Sequence, residues 1–341
     1  MTRTAPAYLL ENVTHFYGDK KVLDIAHLAI DKGSITGLLG PNGSGKSTLL
    51  KLLAFAMRPA FGKIFFNGRR EYPFSSNIRS RVTLVTQKPY LLRRTVYENI
   101  AYGLQIRRDT ADLQIRIRRA LAGVGLAYEG FSHRQWHALS GGEAQRVAMA
   151  ARLILKPRVL LLDEPVASVD AQSAALIRQA ALTARKNWGT TLVIASHDLA
   201  WLFDCSDTQI SISNGTLFST GREIILPGPY TTGRKGLKKI LDNGQCIFLP
   251  FAARSGKTAV IQRENIGLAK NRETDNRYDN QIKGQIQSMH MTGKRQQIMT
   301  TIAVPEMEFM LGIAPELAGS LSLQPGKEVF LLFRSQDIVW R

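Results

Sequence analysis

The stretch that decides the fold is Gly40-Pro41-Asn42-Gly43-Ser44-Gly45-Lys46-Ser47-Thr48. It follows an apolar run at residues 35–39 and precedes a second run, residues 49–57, that is typical of a helix. A glycine-rich turn between strand and helix directs backbone N–H groups at a phosphate chain, and the helix N-terminus adds partial positive charge. In this spacing Lys46 would reach the β- and γ-phosphates and the Ser47 hydroxyl would ligate Mg²⁺. The stretch therefore predicts a nucleotide-binding loop, with a simple glycine turn as the alternative.

Length and composition limit the class of protein. The chain has 341 residues, of which 44% are hydrophobic and 21% charged, which favours a globular protein of two domains. Its apolar runs are shorter than the roughly eighteen residues that span a bilayer, and residues 1–7 lack the apolar core of a secretion signal. Two cysteines provide neither a disulfide framework nor a metal site, so the cytosol is the expected compartment. The net charge of +18 is compatible with nucleic acid, an anionic membrane face or a solvated exterior.

Several short strands are predicted in the first part of the chain. They are residues 8–13, 22–30, 35–39, 63–67, 81–86, 159–162 and 191–196. The later ones are almost wholly apolar, which is typical of a parallel sheet covered on both faces. Gln87, Asp163, Glu164 and His197 follow three of these strands directly. Because ligands of open parallel sheets bind at the carboxyl ends of strands, we expect these side chains to meet beside the phosphate loop of an α/β fold.

A basic helical region is predicted between the strands. In residues 110–126, Leu113, Ile117, Leu121 and Val124 recur at the spacing of one helix face. The other face has several arginines, and the whole segment after Gln87 is markedly basic.

A second pair of glycines precedes the predicted helix at residues 147–154. It stands in Leu139-Ser140-Gly141-Gly142-Glu143-Ala144-Gln145-Arg146. This sequence resembles the signature of the ABC ATPase family, which binds the γ-phosphate of the ATP held by a partner subunit. The resemblance covers about residues 8–222. In the family's order it includes Tyr17 as the adenine-stacking aromatic residue, Gln87 as the Q-loop glutamine, Asp170 as the D-loop aspartate and His197 as the switch histidine.

The resemblance implies an ABC-type P-loop NTPase domain with a helical subdomain at about residues 88–157. Its cofactors would be ATP and Mg²⁺, with ATP held by Tyr17, Gly40, Pro41, Asn42, Gly43, Ser44, Gly45, Lys46, Ser47 and Thr48. Ser47, Gln87 and Asp163 would hold the metal. Glu164 would orient and deprotonate the attacking water, assisted by His197 and Gln87 as the other catalytic residues.

The resemblance also implies what the signature and D-loop do. Ser140, Gly141, Gly142 and Glu143 would contact the partner's ATP. The family usually has Gln at the position of Glu143, and its D-loop often reads Ser-Ala-Leu-Asp where this chain has Ala167-Ser168-Val169-Asp170.

One phosphate loop and one signature in each chain imply a homodimer that binds two nucleotides. Tandem ABC proteins carry two sets of motifs, and the chromosome-maintenance members have long coiled coils for which the stretch between Ser47 and Leu139 is too short. The remaining interpretation is a transporter subunit that is bound peripherally at the cytoplasmic face of the inner membrane. Its partners would be membrane permease subunits and, through them, a periplasmic or extracellular solute-binding protein, with no nucleic acid. The alternative is a soluble regulatory ABC ATPase whose basic surface binds nucleic acid.

A change of composition near Leu226-Pro227-Gly228-Pro229 predicts a boundary between residues 1–225 and 226–341. Beyond it, short strand-like segments predict a small β-rich domain: residues 245–250, 257–262, 282–289, 297–303 and 328–333. The segments Glu264-Asn265-Ile266, 280–289 and 323–340 resemble a TOBE/Mop-type module, in which Leu323-Gln-Pro-Gly-Lys-Glu-Val329 would be the turn into the last strand. Such modules end the ATPases of importers for molybdate, tungstate, sulfate, iron, sugars and polyamines.

The whole chain looks most like the ATP-binding subunits of tungstate importers. The expected function is therefore ATP hydrolysis that drives import of an oxyanion, tungstate or molybdate. Sulfate, iron, a sugar or a polyamine are the alternative cargoes. For the tail itself, binding of oxyanion and stabilisation of the dimer both stay open.

Overall fold

A computed structural model describes residues 5–75, 78, 80–167, 169–213, 215–219, 223–233, 236–250, 259–274, 277–292 and 297–340. The chain forms two compact units, Met1–Phe218 and Ser219–Arg341. This division comes earlier than the predicted boundary after residue 225. The reason is that strand Glu223–Leu226 pairs antiparallel with Ala259–Gln262, and so it already belongs to the second unit. Ser168 of the predicted D-loop and residues 257–258 of a predicted strand lie outside the described residues.

One mixed sheet organises the first unit. Its strands are β1 (Tyr8–Tyr17), β2 (Lys20–Ile30), β3 (Ile35–Leu39), β4 (Phe61–Phe66), β5 (Arg69–Arg70), β6 (Val82–Val85), β7 (Val159–Asp163), β8 (Thr191–Ala195), β9 (Thr208–Ser213) and β10 (Thr216–Ser219). Within the described chain their order is β5-β4-β1-β2-β10-β9-β3-β8-β7-β6. The strands β9, β3, β8, β7 and β6 run parallel, whereas β1, β2 and β4 are antiparallel. The predicted parallel sheet is therefore confirmed, and it continues into an antiparallel part.

Helices cover this sheet. They are α1 (Lys46–Leu53), α2 (Val96–Ile106), α3 (Leu113–Ala122), α4 (Tyr128–Phe131), α5 (Gly141–Leu153), α6 (Ala171–Trp188) and α7 (Leu199–Cys205). The predicted helix at residues 49–57 begins earlier, inside the phosphate loop, and ends before Phe55, whose φ is +54°. The predicted helix at residues 110–126 is shorter, but Ile117, Leu121 and Val124 are buried as expected. No helix in the described ranges is both long enough and apolar enough to cross a membrane.

The central strands are buried on both faces. Side chains alternate along β7, so that Leu160 and Leu162 pack with α2, α5 and α6, whereas Leu161 packs with α1 and the antiparallel strands. The same alternation occurs in β8. This packing fixes the carboxyl ends of β3, β7 and β8 side by side at one edge, because neighbouring parallel strands end together.

The second unit is rich in strands, as predicted. They are β11 (Glu223–Leu226), β12 (Thr231–Gly233), β13 (Gly236–Ile240), β14 (Cys246–Leu249), β15 (Ala259–Gln262), β16 (Gly267–Ala269), β17 (Asn280–Thr292), β18 (Gln297–Val304), β19 (Met307–Ile313), β20 (Glu328–Phe333) and β21 (Ile338–Trp340). A short helix, α8 (Pro315–Ser320), lies between β19 and β20. The sheets have the orders β16-β20-β17-β18-β19, β11-β15-β21 and β12-β13-β14. Phe309 and Phe333 are fully buried in the shared core of this unit.

Candidate nucleotide site at the edge of the sheet

The loop between β3 and α1 has a backbone that side chains would disturb. Gly40, Gly43 and Gly45 have φ values of +143°, +77° and +111°. A Cβ atom at Gly40 would lie 2.2 Å from the carbonyl oxygen of Ile212, and one at Gly45 would lie 2.7 Å from Leu23 Cδ2. The glycines therefore serve two purposes, since they allow the left-handed backbone and let the loop approach neighbouring strands closely.

Two of these glycines make a matched pair for mutation. Gly40→Ala is expected to lower the free energy of unfolding by about 3 kcal/mol, because strain in the backbone adds to the clash with Ile212. Gly43→Ala, whose Cβ would meet nothing within 4 Å, is expected to cost only about 1 kcal/mol. Urea unfolding of both variants, followed by tryptophan fluorescence, measures the difference. Equal losses would contradict the close packing at Gly40.

Lys46 points back into the loop. Its Nζ donates hydrogen bonds to the carbonyl oxygens of Gly40 at 2.7 Å and Pro41 at 3.1 Å, and the residue is buried. Burial lowers the pKa of the Lys46 ammonium, while the charges of Glu164 and Asp163 raise it. The ammonium is thus held where phosphate oxygens inside the loop would be its partners.

Ser47 and Asp163 form an oxygen pair at the start of α1 and the end of β7. The Ser47 hydroxyl donates to Asp163 Oδ1 at 3.1 Å, and Asp163 is buried. One hydroxyl and one carboxylate fit Mg²⁺, which keeps several waters and binds through few protein oxygens together with substrate phosphates. In the described part of the chain, no cluster of three or more His, Cys, Asp or Glu side chains could hold a metal by itself. These residues therefore suit a cation that arrives with a nucleotide.

Glu164 is a buried acid aimed at the same edge. Its φ is +47°, and its backbone N–H donates to Ala195 at the end of β8, so two strands fix its position. Glu164 Oε2 accepts a hydrogen bond from the backbone N–H of His197 at 3.1 Å. The other oxygen, Oε1, is buried and makes no hydrogen bond of good geometry within the described residues, although His197 Nε2 lies 3.2 Å away. An unsatisfied carboxylate oxygen is a ready acceptor for a water molecule.

His197 bridges this acid and the phosphate loop. Its Nε2 lies 3.2 Å from Glu164 Oε1 and 2.9 Å from Asn42 Oδ1. Asp198 follows directly; it caps α7 by accepting from the backbone N–H of Trp201 and forms an ion pair with Arg178. No role for Asp198 is predicted from the sequence, although an Asp residue before an apolar helical run is a signal for a helix N-cap.

The predicted signature and D-loop lie against each other. Ser140 caps α5 in a capping box, in which its backbone N–H donates to Glu143 Oε2 at 2.8 Å. Asp170 caps α6, and the hydrogen bonds from Ser173 lower the pKa of its carboxyl. A Cβ at Gly142 would lie 2.8 Å from Asp170 Oδ2, so glycine permits the contact between the two helix starts. Among the described residues, no hydrogen bond joins the signature to the phosphate loop of the same chain.

Gln145 is a buried polar residue of the predicted signature stretch for which the sequence alone indicates no role. It is 1% exposed, and its Nε2 donates to the carbonyl oxygen of Thr86 at 3.1 Å, directly before Gln87. The signature helix is thereby tied to the end of β6.

Replacing Gln145 by alanine is expected to cost about 2 kcal/mol of unfolding free energy, because the Thr86 carbonyl loses its partner in a buried setting. Gln179→Ala is the matched control, since Gln179 is exposed and its side-chain amide donates a hydrogen bond to the Thr183 hydroxyl. Urea unfolding gives both values. If Gln145→Ala lost no more unfolding free energy than Gln179→Ala, the hydrogen bond to Thr86 would not stabilise the fold.

Tyr17 and Gln87 are among the predicted residues that lie at the surface. Tyr17 is 50% exposed at the end of β1, where its ring meets His15 edge-to-face with centroids 5.1 Å apart. Gln87 is exposed just beyond the end of β6. Base stacking by Tyr17 and metal binding by Gln87 stay predictions, as do the roles assigned to the other site residues.

The chain is similar to a known protein family and to several of its characterised members. The profile of a family described as "ABC transporter" matches residues 23–167. The chain is 35% identical over 263 residues to the spermidine/putrescine import ATP-binding protein PotA of Mesoplasma florum, covering 76% of this chain and 75% of that protein. It is 36% identical to the tungstate uptake system ATP-binding protein TupC of Peptoclostridium acidaminophilum, covering 60% of this chain and 94% of TupC.

A third relative and two solved structures agree with these matches. The Fe(3+) ions import ATP-binding protein FbpC of Escherichia coli K12 is 37% identical, and the match spans 62% of this chain but 61% of FbpC. The ATP-binding cassette MJ0796, a dimer bound to ADP and Pi, is 27% identical with a TM-score of 0.58, over 65% of this chain and all of that one. The cbiO1 protein of Clostridium perfringens, part of the cbiONQ transporter complex, is 28% identical with a TM-score of 0.56, over 64% of this chain and 88% of that one.

Proposed function

This chain belongs to the ABC transporter family as an ATP-binding subunit of importer type, and we propose that it drives a separate membrane permease that imports a small oxyanion, tungstate or molybdate. As a member of that family it is an ATPase that binds ATP together with Mg²⁺. The permease, a solute-binding protein reached through it and a peripheral position at the cytoplasmic face of the membrane all belong to the proposal.

The observation that carries the ATPase mechanism is the convergence of charged groups at one edge of the sheet. Lys46, Asp163, Glu164 and His197 come from three different segments, yet the hydrogen bonds and electrostatic contacts described above link them. Phosphoryl transfer depends mainly on positioning and on neutralisation of charge. We assign Lys46 to the phosphates, Ser47 with Asp163 to Mg²⁺, and Glu164 with His197 to the attacking water.

We propose a homodimer in which each signature completes the partner's site. The supporting feature is that Ser140 and Gly141 are exposed at the start of α5, where backbone N–H groups can meet an anion. The phosphate loop of the same chain makes no hydrogen bond to them in the described residues. A second copy with its phosphate loop opposite this helix start would join the two halves.

Two features support an oxyanion as the cargo. The relative TupC, an ATP-binding protein of tungstate uptake, aligns over 94% of its own length, although PotA and FbpC are named for polyamine and iron import. In the second unit, the turn at Gly326, with φ +87°, leads into β20 as in the TOBE/Mop resemblance. That strand is not the last one, because the short β21 follows it. We propose that this unit is a TOBE/Mop-like module.

The cargo is tested in the organism that encodes the chain. After deletion of the reading frame, cellular tungsten, molybdenum and iron are measured by mass spectrometry, and spermidine and putrescine by chromatography. We expect tungsten and molybdenum uptake to fall and to be restored by the parent protein but not by its Glu164→Gln variant. A fall in iron or polyamine alone would replace the proposed cargo. Unchanged levels of all solutes, with salt-sensitive binding of DNA by the purified protein, would favour the regulatory alternative.

A further inference from the structure

A cavity in the first unit lies apart from the residues assigned to ATP. It has a volume of about 610 Å³, is open to solvent on one side, and is lined by α3, the C-terminal end of α5 and the C-terminal half of α6. We call it the α3–α5–α6 cavity. Cavities of this size are typical of sites for small organic ligands. None of the described residues that line it belongs to the phosphate loop, the signature or the D-loop.

The inner wall of this cavity is apolar. Leu153 and Ile154 at the end of α5 and Ala184 on α6 are buried side chains that line it. Trp188, which is 42% exposed, adds a flat aromatic surface at the rim. Such a wall favours a ligand with a planar apolar portion, since aromatic groups stack or meet edge-to-face with rings of this kind.

The rim of the cavity is positively charged. Arg116 already has a partner, because it makes two hydrogen bonds to the Asp109 carboxylate at 2.8 and 2.9 Å. That contact lowers the pKa of Asp109, and the charge of Lys156 lowers it further, so the acid stays ionised and paired with Arg116. Arg119 and Lys156 also line the cavity, are exposed, and form no ion pair among the described residues. Two cations therefore remain beside an apolar wall.

We propose that the α3–α5–α6 cavity binds a small amphipathic organic anion that regulates the ATPase. Its flat apolar part lies on Leu153, Ala184 and Trp188, and its anionic group pairs with Arg119 and Lys156. Cations at the rim of an apolar pocket select an anion over a neutral molecule of the same shape, because charge complementarity adds to the burial of apolar area.

The position of the cavity gives a bound ligand a physical connection to the signature and the D-loop. Helix α5 begins at the signature and α6 begins after Asp170, and both end at the cavity. Their 13 and 18 residues correspond to rods of about 20 and 27 Å. A ligand that holds their far ends together therefore affects the relative placement of the signature and the D-loop at their near ends.

The test uses 1-anilinonaphthalene-8-sulfonate as the anionic probe and the uncharged N-phenyl-1-naphthylamine as its matched analogue. Fluorescence titrations are done with saturating MgADP, which occupies the nucleotide site. We expect saturable binding of one sulfonate probe per chain. In the Arg119→Glu, Lys156→Glu double variant binding becomes about tenfold weaker, because two attractive contacts turn repulsive. The double control Lys51→Glu, Lys186→Glu changes the net charge equally, outside the cavity, and keeps parental affinity.

A variant that blocks the cavity and an ATPase assay complete the test. Thr183→Trp places an indole ring on the α6 wall, where the flat part of the probe would lie, and is expected to block sulfonate binding while ATP hydrolysis continues. The sulfonate probe is expected to change the steady-state ATPase rate at least about twofold in the parent and not in Thr183→Trp, as for coupling energies near the low end of allosteric systems. If all variants bound the sulfonate probe with equal affinity, the proposed binding site would be wrong. Equal loss of the uncharged analogue in the Glu double variant would overturn the anion preference. An unchanged ATPase rate would overturn regulation.

Discussion

Glu164→Gln is expected to lower the rate of ATP hydrolysis about a thousandfold, within the range that general-base catalysis contributes. The amide cannot take a proton from water, although it keeps nearly the same shape and can still meet the His197 backbone through its oxygen. ATP binding is expected to be retained because Lys46 and Ser47 are untouched. The ATP-bound dimer should then accumulate. Steady-state phosphate release, fluorescent-nucleotide titration and light scattering coupled to gel filtration measure turnover, affinity and mass.

The control is Glu129→Gln, which removes an exposed carboxylate that forms an ion pair with Arg118 on the surface. It is expected to hydrolyse ATP at the parental rate. Hydrolysis by Glu164→Gln within a few-fold of the parent would show that another group activates the water. A monomer in the presence of ATP would contradict the proposed dimer, whatever the rate.

Lys46→Ala is expected to weaken ATP affinity about a hundredfold, since the phosphates lose a charge-assisted partner inside the loop. Turnover falls for the same reason. The variant also removes the hydrogen bonds to Gly40 and Pro41, so circular dichroism must confirm that the fold is intact. Fluorescent-nucleotide titration is the primary measurement, because it separates this variant from Glu164→Gln, which keeps affinity and loses turnover.

Lys51→Ala is the matched control on the same helix. Lys51 is exposed in the last turn of α1, whereas Lys46 is buried in its first turn. It should bind ATP like the parent. If Lys46→Ala bound ATP as tightly as Lys51→Ala, the glycine-rich loop would not be the phosphate site.

Much of the fold could be predicted because local pattern and tertiary packing agree. The apolar runs at β7 and β8 read as buried strands, and packing on both faces of the sheet makes them so. The placement of Asp163, Glu164 and His197 at one edge then follows from parallel strand directions alone. The sequence predicts the start of α1 at residue 49, which is too late, because Lys46, Ser47 and Thr48 belong to the loop and the helix together.

The contacts that sequence reasoning could not supply are those between distant segments. Asn42 and His197 meet at 2.9 Å, although the whole helical region lies between them in the chain. Gln145 looks like a polar residue on a helix surface, and only the packing of α5 beside β6 buries it against Thr86. The ion pair of Arg178 with Asp198 depends in the same way on the packing of α6 beside α7. Periodicity describes one element at a time and contains no information on such pairs.

In the proposed homodimer, the capping box at Ser140 affects how long the two subunits stay closed on ATP. Glu143 places a carboxylate at the start of α5. The Arg134 guanidinium neutralises this charge only in part, because its Nη1 lies 3.6 Å from Glu143 Oε1. This negative charge opposes the pull that the helix start exerts on a neighbouring γ-phosphate. In that proposed dimer we expect the subunits to separate sooner after each round of hydrolysis than those of a variant with the neutral amide, Glu143→Gln.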